Sequence, residues 1–97
     1  YYIYGVDRSE NLIGVLSLRD LIVAQPATPV ADFMNRQVIS VHLDDSAREV
    51  AEVIRKYNLL AVPVVDVDDH LEGIITVDDV METLLSGAGR GRRRFFR

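Results

Sequence analysis

The 97-residue chain has no cysteine and no tryptophan, and only 7% of it is aromatic. Without cysteine there is no disulfide framework, no zinc–thiolate site and no cysteine nucleophile. That usage fits a reducing compartment. Long apolar runs are missing too: the longest, residues 59–65, is interrupted by Pro63. A membrane-spanning helix needs about twenty apolar residues. No signal-peptide pattern is visible. The chain opens at Tyr1 inside an apolar, strand-like stretch, which reads as a piece of a longer protein. Basic charge is scarce over most of the length. Residues 1–86 carry six basic against fifteen acidic side chains, while residues 87–97 hold five arginines and no acid. An acidic body argues against nucleic acid, whose phosphates need a basic face.

What is present is enough for a folded core. The chain is 48% hydrophobic, and a domain of this size buries roughly 60–70% of its unfolded surface. It also repeats itself. At an offset of 59, Val6-Asp7 falls on Val65-Asp66, Leu12 on Leu71, Gly14 on Gly73, Ser17 on Thr76 and Asp20 on Asp79. Each copy reads as an apolar strand ending in Asp, a polar turn, a second strand bearing Gly, and a Ser or Thr that opens a helix. Between the copies, Pro26 and Pro29 stop the first helix. Residues 30–34 read as a short helical segment and residues 38–41 as a strand. Ser46 then caps a helix of about twelve residues, with Glu49 completing a Ser-x-x-Glu capping box. Ala47, Val50, Ala51, Ile54 and Tyr57 share its buried face, and Glu52 is spaced to pair with Lys56. The second copy is thus a full strand, helix, strand, strand, helix unit over residues 36–86. The first, residues 1–25, holds only the strand, strand, helix portion, and residues 26–35 link them. The first copy is therefore expected to be truncated at its N-terminus and to expose a sheet edge.

These features resemble the CBS domain, named after cystathionine β-synthase. The resemblance rests on Val30-Ala-Asp-Phe-Met-Asn35, Val38-Ile-Ser-Val41, the capped helix, Val62-Pro-Val-Val-Asp66 and Leu71-Glu-Gly-Ile-Ile-Thr-Val-Asp-Asp79. It implies an α/β fold, a tandem CBS domain of short β-sheets packed with helices. It also implies a regulatory rather than catalytic role, and often an adenosine nucleotide ligand. Tyr1-Tyr-Ile-Tyr4 and Leu12-Ile-Gly-Val-Leu-Ser-Leu-Arg-Asp-Leu21 narrow the resemblance to the CBS pair of MgtE-type magnesium transporters. That pair lies on the cytoplasmic side of the membrane and senses magnesium. Homodimer formation and contact with other domains of the parent transporter are implied in the same way. The alternative is an adenine-nucleotide sensor in a soluble protein, or in an enzyme such as inosine-monophosphate dehydrogenase.

Two groups of side chains carry candidate chemistry. Ser17 with Asp20, and Thr76 with Asp79, each open a helix, where free amides and the helix dipole favour phosphate. The same spacing also satisfies plain helix capping. The resemblance gives the hydroxyls phosphate contacts and the aspartates ribose contacts, for ATP or AMP. Val38, Ile39, Val62 and Pro63 would then line the base. The second group is the carboxylates Asp66, Asp68, Asp69, Asp78 and Glu82, candidates for a regulatory Mg2+. Magnesium prefers oxygen ligands and keeps several waters, so one or two carboxylates suffice. A solvated acidic surface is the competing reading. His42 and His70 are isolated, so a transition-metal site is not expected. Tyr1, Tyr2 and Tyr4 read as strand packing, and Met34 and Met81 as apolar helix faces. No catalytic triad, Walker loop or dinucleotide fingerprint is present. The Arg-rich tail reads as a disordered end or a juxtamembrane segment.

Overall fold

The computed structural model describes residues 1–86; the Arg-rich tail lies outside them. Strands β1 (Tyr2–Val6) and β2 (Leu12–Ser17) form an antiparallel hairpin that runs into helix α1 (Leu18–Val23). A 3₁₀ turn at Val30–Asp32 follows. The second unit comprises β3 (Val41–His42), α2 (Ala47–Tyr57), β4 (Ala61–Val65), β5 (Leu71–Thr76) and α3 (Val77–Leu85). Its sheet runs β3-β4-β5, with β3 parallel and β5 antiparallel to β4.

The repeat holds at the level of single hydrogen bonds. Tyr2 pairs with Ser17 as Ala61 pairs with Thr76, and both hairpins change register at the same place, after Gly5 and after Val64. In each turn one aspartate organises the backbone. Asp7 Oδ1 accepts from the amides of Ser9 and Asn11, and Asp66 Oδ1 from those of Asp68 and His70. This is the local side-chain bonding that makes Asp a turn former. Glu10 and Asp69 occupy equivalent positions, and both adopt a left-handed backbone at φ 66°. The two turns then clasp each other. The Leu12 amide donates to the Asp69 carbonyl and the Leu71 amide to the Glu10 carbonyl, each at 3.0 Å.

The core lies in the second unit. Val41, Val50, Ile54, Val62, Val64, Ile75 and Val80 bury one another between the three-stranded sheet and helices α2 and α3. Each such side chain contributes roughly 1.5–3 kcal/mol. α2 begins as the sequence dictates: Ser46 Oγ accepts from the Glu49 amide and Glu49 accepts from the Ser46 amide. It ends at Asn58, whose left-handed conformation lets its amide reach the Ile54 and Arg55 carbonyls.

Four details differ from expectation. The strand anticipated over residues 38–41 shrinks to Val41–His42. The preceding stretch is diverted because Asn35 exchanges two backbone hydrogen bonds, 2.8 and 2.9 Å, with Val15 of the first hairpin. Residues 38–40 therefore bridge the two units instead of joining a ladder. Tyr57 is exposed at the end of α2, with the Lys56 ammonium 5.3 Å from its ring centre. Glu52 pairs with Arg55 rather than Lys56, two guanidinium contacts at 3.3 Å; exposed pairs of this kind are worth about 0–1 kcal/mol. Met81 is exposed, while Met34 packs beneath the first hairpin. A Cβ at Gly14 would meet the Met34 sulfur at 2.3 Å, so a larger residue there has to displace the flexible Met34 side chain.

Candidate functional site

Alternation along β1 sends Tyr2 and Tyr4 to one face, where their rings lie 6.4 Å apart, tilted by 55°. That face looks across to β4 of the other unit. Between them lie two adjoining cavities that share Tyr2, Tyr4 and Ala61 as a wall. The smaller, about 210 Å³, is closed by Val38, Ile39 and Pro63, with the amides Asn35 and Gln37 at its rim. The larger, about 650 Å³, extends past Leu60 to Thr76, Val77 and Asp78 at the start of α3. The larger volume is within the range of small-ligand sites. Burial, with the neighbouring Tyr2 adding to it, pushes the Tyr4 phenol up to about 12, so this wall stays neutral.

The candidate nucleotide residues divide on this geometry. Val38, Ile39, Pro63 and Thr76 line the cavities. Val62 does not: alternation turns it the other way, and at 0% exposure it belongs to the core. Ser17 and Asp20 are absent from both linings, as is Asp79. These residues act as capping boxes. Ser17 and Asp20 exchange bonds of 3.0 Å, and Thr76 and Asp79 bonds of 3.2 and 3.3 Å. The amides expected to greet a phosphate are largely consumed. Besides those taken by the caps, the Val77 amide donates to the Leu60 carbonyl and the Leu18 amide to the Tyr1 carbonyl. Tyr2 and Tyr4 are half-buried and line the cleft, whereas Tyr1, expected to pack, is 95% exposed. The available signal was their alternation opposite Ala61 and Pro63, one repeat length away.

Among the carboxylates, Asp66, Asp68 and His70 present ligand atoms within 4.8 Å of one another. His70 joins this group against expectation, brought there by the turn. Its Nδ1 lies 3.0 Å from Asp66 Oδ2. The His70 amide bond, chiefly, holds Asp66 below the usual carboxylate range, and the Asp66 side chain holds His70 above the usual imidazole range. The first turn makes the same arrangement with Asn11 Nδ2 and Asp7 Oδ2 at 3.2 Å, so the group is primarily turn architecture. Asp69, Asp78 and Glu82 belong to no such group of three among the described residues. Asp78 and Glu82 are exposed, one turn apart on α3.

Two α/β units clasped around a shared cleft define a tandem module. The profile of the CBS domain matches residues 30–86, and the chain belongs to the CBS domain family. It is 55% identical over 84 residues to the magnesium transporter MgtE of Enterococcus faecalis, covering 87% of this chain but 18% of that protein. The crystal structure of the cytosolic domain of the Mg2+ channel MgtE in complex with ATP superposes with a TM-score of 0.83 at 52% identity, over 86% of this chain and 34% of that one. Identity to the inosine-5'-monophosphate dehydrogenase of Aquifex aeolicus is lower, 33% over 79% of this chain and 16% of that enzyme.

Proposed function

We propose that the chain is a magnesium-sensing regulatory module on the cytoplasmic side of an MgtE-type transporter, working without catalysis. The observation that carries this is the cleft between the clasped repeats, in a chain far closer to MgtE than to the dehydrogenase. Residues 1–25 and 36–86 act as its two CBS units. Mg2+ neutralises carboxylates of the second unit, drawn from Asp66, Asp68, Asp69, Asp78 and Glu82. Relief of their mutual repulsion favours a compact arrangement with the other domains of the parent. A ligand selective for one state stabilises it by RT ln(1 + [L]/Kd), so a weak site responds to millimolar ion. An adenine nucleotide, ATP or AMP, occupies the cleft. The exposed apolar side chains Leu21, Ile22, Met81 and Leu85 on α1 and α3 support a homodimer through these helices.

The test is thermal stability against MgCl2 at constant ionic strength, with NaCl as control. A magnesium-specific rise supports direct sensing; no shift at tens of millimolar sinks it. Sedimentation equilibrium, with Leu85→Asp expected to dissociate the dimer, checks the assembly.

A further inference from the structure

The turn between β4 and β5 holds more polar chemistry than its backbone needs. Residues 7–11 and 66–70 build the same turn on Asp7 and Asp66. They differ at two side chains: where the first turn has Ser9 and Asn11, the second has Asp68 and His70. The first closes without a second carboxylate or an imidazole, so the turn requires neither. Asn11 meets Asp7 Oδ2 through its amide nitrogen, a donor with no lone pair for a metal. His70 meets Asp66 Oδ2 through Nδ1 at 3.0 Å, and in the tautomer protonated at Nε2 that nitrogen offers a lone pair. Two donors each about 2.1 Å from an octahedral ion, at right angles, stand about 3.0 Å apart, the separation found between these atoms. Asp68 completes a set whose ligand atoms all lie within 4.8 Å of one another. The Asp66 and His70 side chains are 24% and 38% exposed, so an ion can reach them. Beside His70, a hollow of about 310 Å³ shared with Ser9, Glu10, Leu71 and Glu72 leaves room for water ligands. Among the described residues its lining contains no Lys or Arg to repel a cation.

We propose that Asp66, Asp68 and His70 bind a divalent first-row transition-metal ion through one imidazole nitrogen and two carboxylates, with water filling the remaining positions. A mixed nitrogen–oxygen set selects such ions over magnesium. Imidazole suits nickel, copper and zinc, whereas magnesium keeps to oxygen and dehydrates reluctantly. Magnesium sensing needs carboxylates alone, so it does not depend on His70. The first turn, with Ser9 and Asn11, has no counterpart of this site. Occupancy also bears on the joint between the units, because the Leu71 amide, next in the chain to His70, donates to the Glu10 carbonyl. An ion held at the second turn stiffens that clasp.

Isothermal titration of the untagged full chain with NiCl2, in the presence of excess MgCl2, tests this. A single ion per chain is expected, bound at least about tenfold more tightly than magnesium. His70→Asn copies the first turn and should weaken nickel binding at least about tenfold. Asp68→Ser, the other such copy, should weaken it by less, and His42→Asn should leave it unchanged. Circular-dichroism melts check that each variant is folded. Nickel binding that survives in the double variant Asp68→Ser with His70→Asn overturns the proposal. So does the absence of binding up to millimolar NiCl2, or competition by magnesium at equal concentration. The rise in thermal stability with MgCl2, expected to be the same in His70→Asn as in the parent chain, tests the magnesium reading separately.

Discussion

The two hairpins have the same register, the same aspartate-organised turn and the same capped helix, yet one is buried and the other is not. Val62 is 0% exposed, while Ile3, its counterpart, is 38% exposed. Val80 on α3 is 3% exposed and Leu21 on α1 is 41%. Hydrophobicity is similar at each pair. The difference is what lies over them: α2 packs on α3 and β3 pairs with β4, and α1 and β1 have no counterpart of either among the described residues. Burial is therefore a property of the covering element, and the exposed first unit is left with a face that can serve recognition.

The largest expected effect is on that contrast. Val62→Ala should cost roughly 2–3 kcal/mol and Ile3→Ala less than about 1 kcal/mol, measured by urea unfolding. Equal losses would mean that the first unit is as well packed as the second. Next is the joint between the units. Gly14→Ala forces a Cβ against Met34 and should cost roughly 1–3 kcal/mol. Met34→Ala should relieve much of this in a double-mutant cycle, since the two sites then interact directly.

Much of this was legible in the sequence, for identifiable reasons. Asp7, Asp66, Ser17, Ser46 and Thr76 act on backbone atoms within four residues of themselves, so local pattern reveals them. The repeat offset of 59 carries through to the pairing registers. What escaped was long-range. The bridge from Asn35 to Val15 shortened β3 and turned Val38 and Ile39 toward the cleft. Tyr2 and Tyr4 were read as strand packing, but only packing of one unit on the other makes their face a cleft wall. The partner of the Val77 amide was out of reach of local pattern for a similar reason: the Leu60 carbonyl lies 17 residues upstream.

Smaller effects separate the helices and the turns. Ser46→Ala should cost about 1 kcal/mol, because α2 carries much of the core. Ser17→Ala should cost less, since α1 is short and buries no residue. Circular-dichroism melts of both variants make the comparison. The turns differ in their response to pH. Asp7 and Asp66 are both depressed, so both stabilise above about pH 4 and lose that contribution as pH falls through their lowered values. Only the second turn has a histidine. His70 is raised, so its contribution is complete below about pH 6.5 and fades as pH rises through its higher folded value. His70→Asn, which copies Asn11, should flatten the melting temperature above pH 6.5 and keep the acid limb. A slope that persists in this variant would place the neutral transition elsewhere.

The central claim is that the two repeats, unequal in packing, jointly form one ligand cleft. Amide chemical-shift mapping with ATP and MgCl2 tests it most directly. The account predicts perturbations drawn from both units, at Tyr2 and Tyr4 on one side and Ile39, Ala61 and Thr76 on the other. Perturbations confined to one unit, or gathered on the outer face of α2 around Arg48 and Glu52, would contradict it.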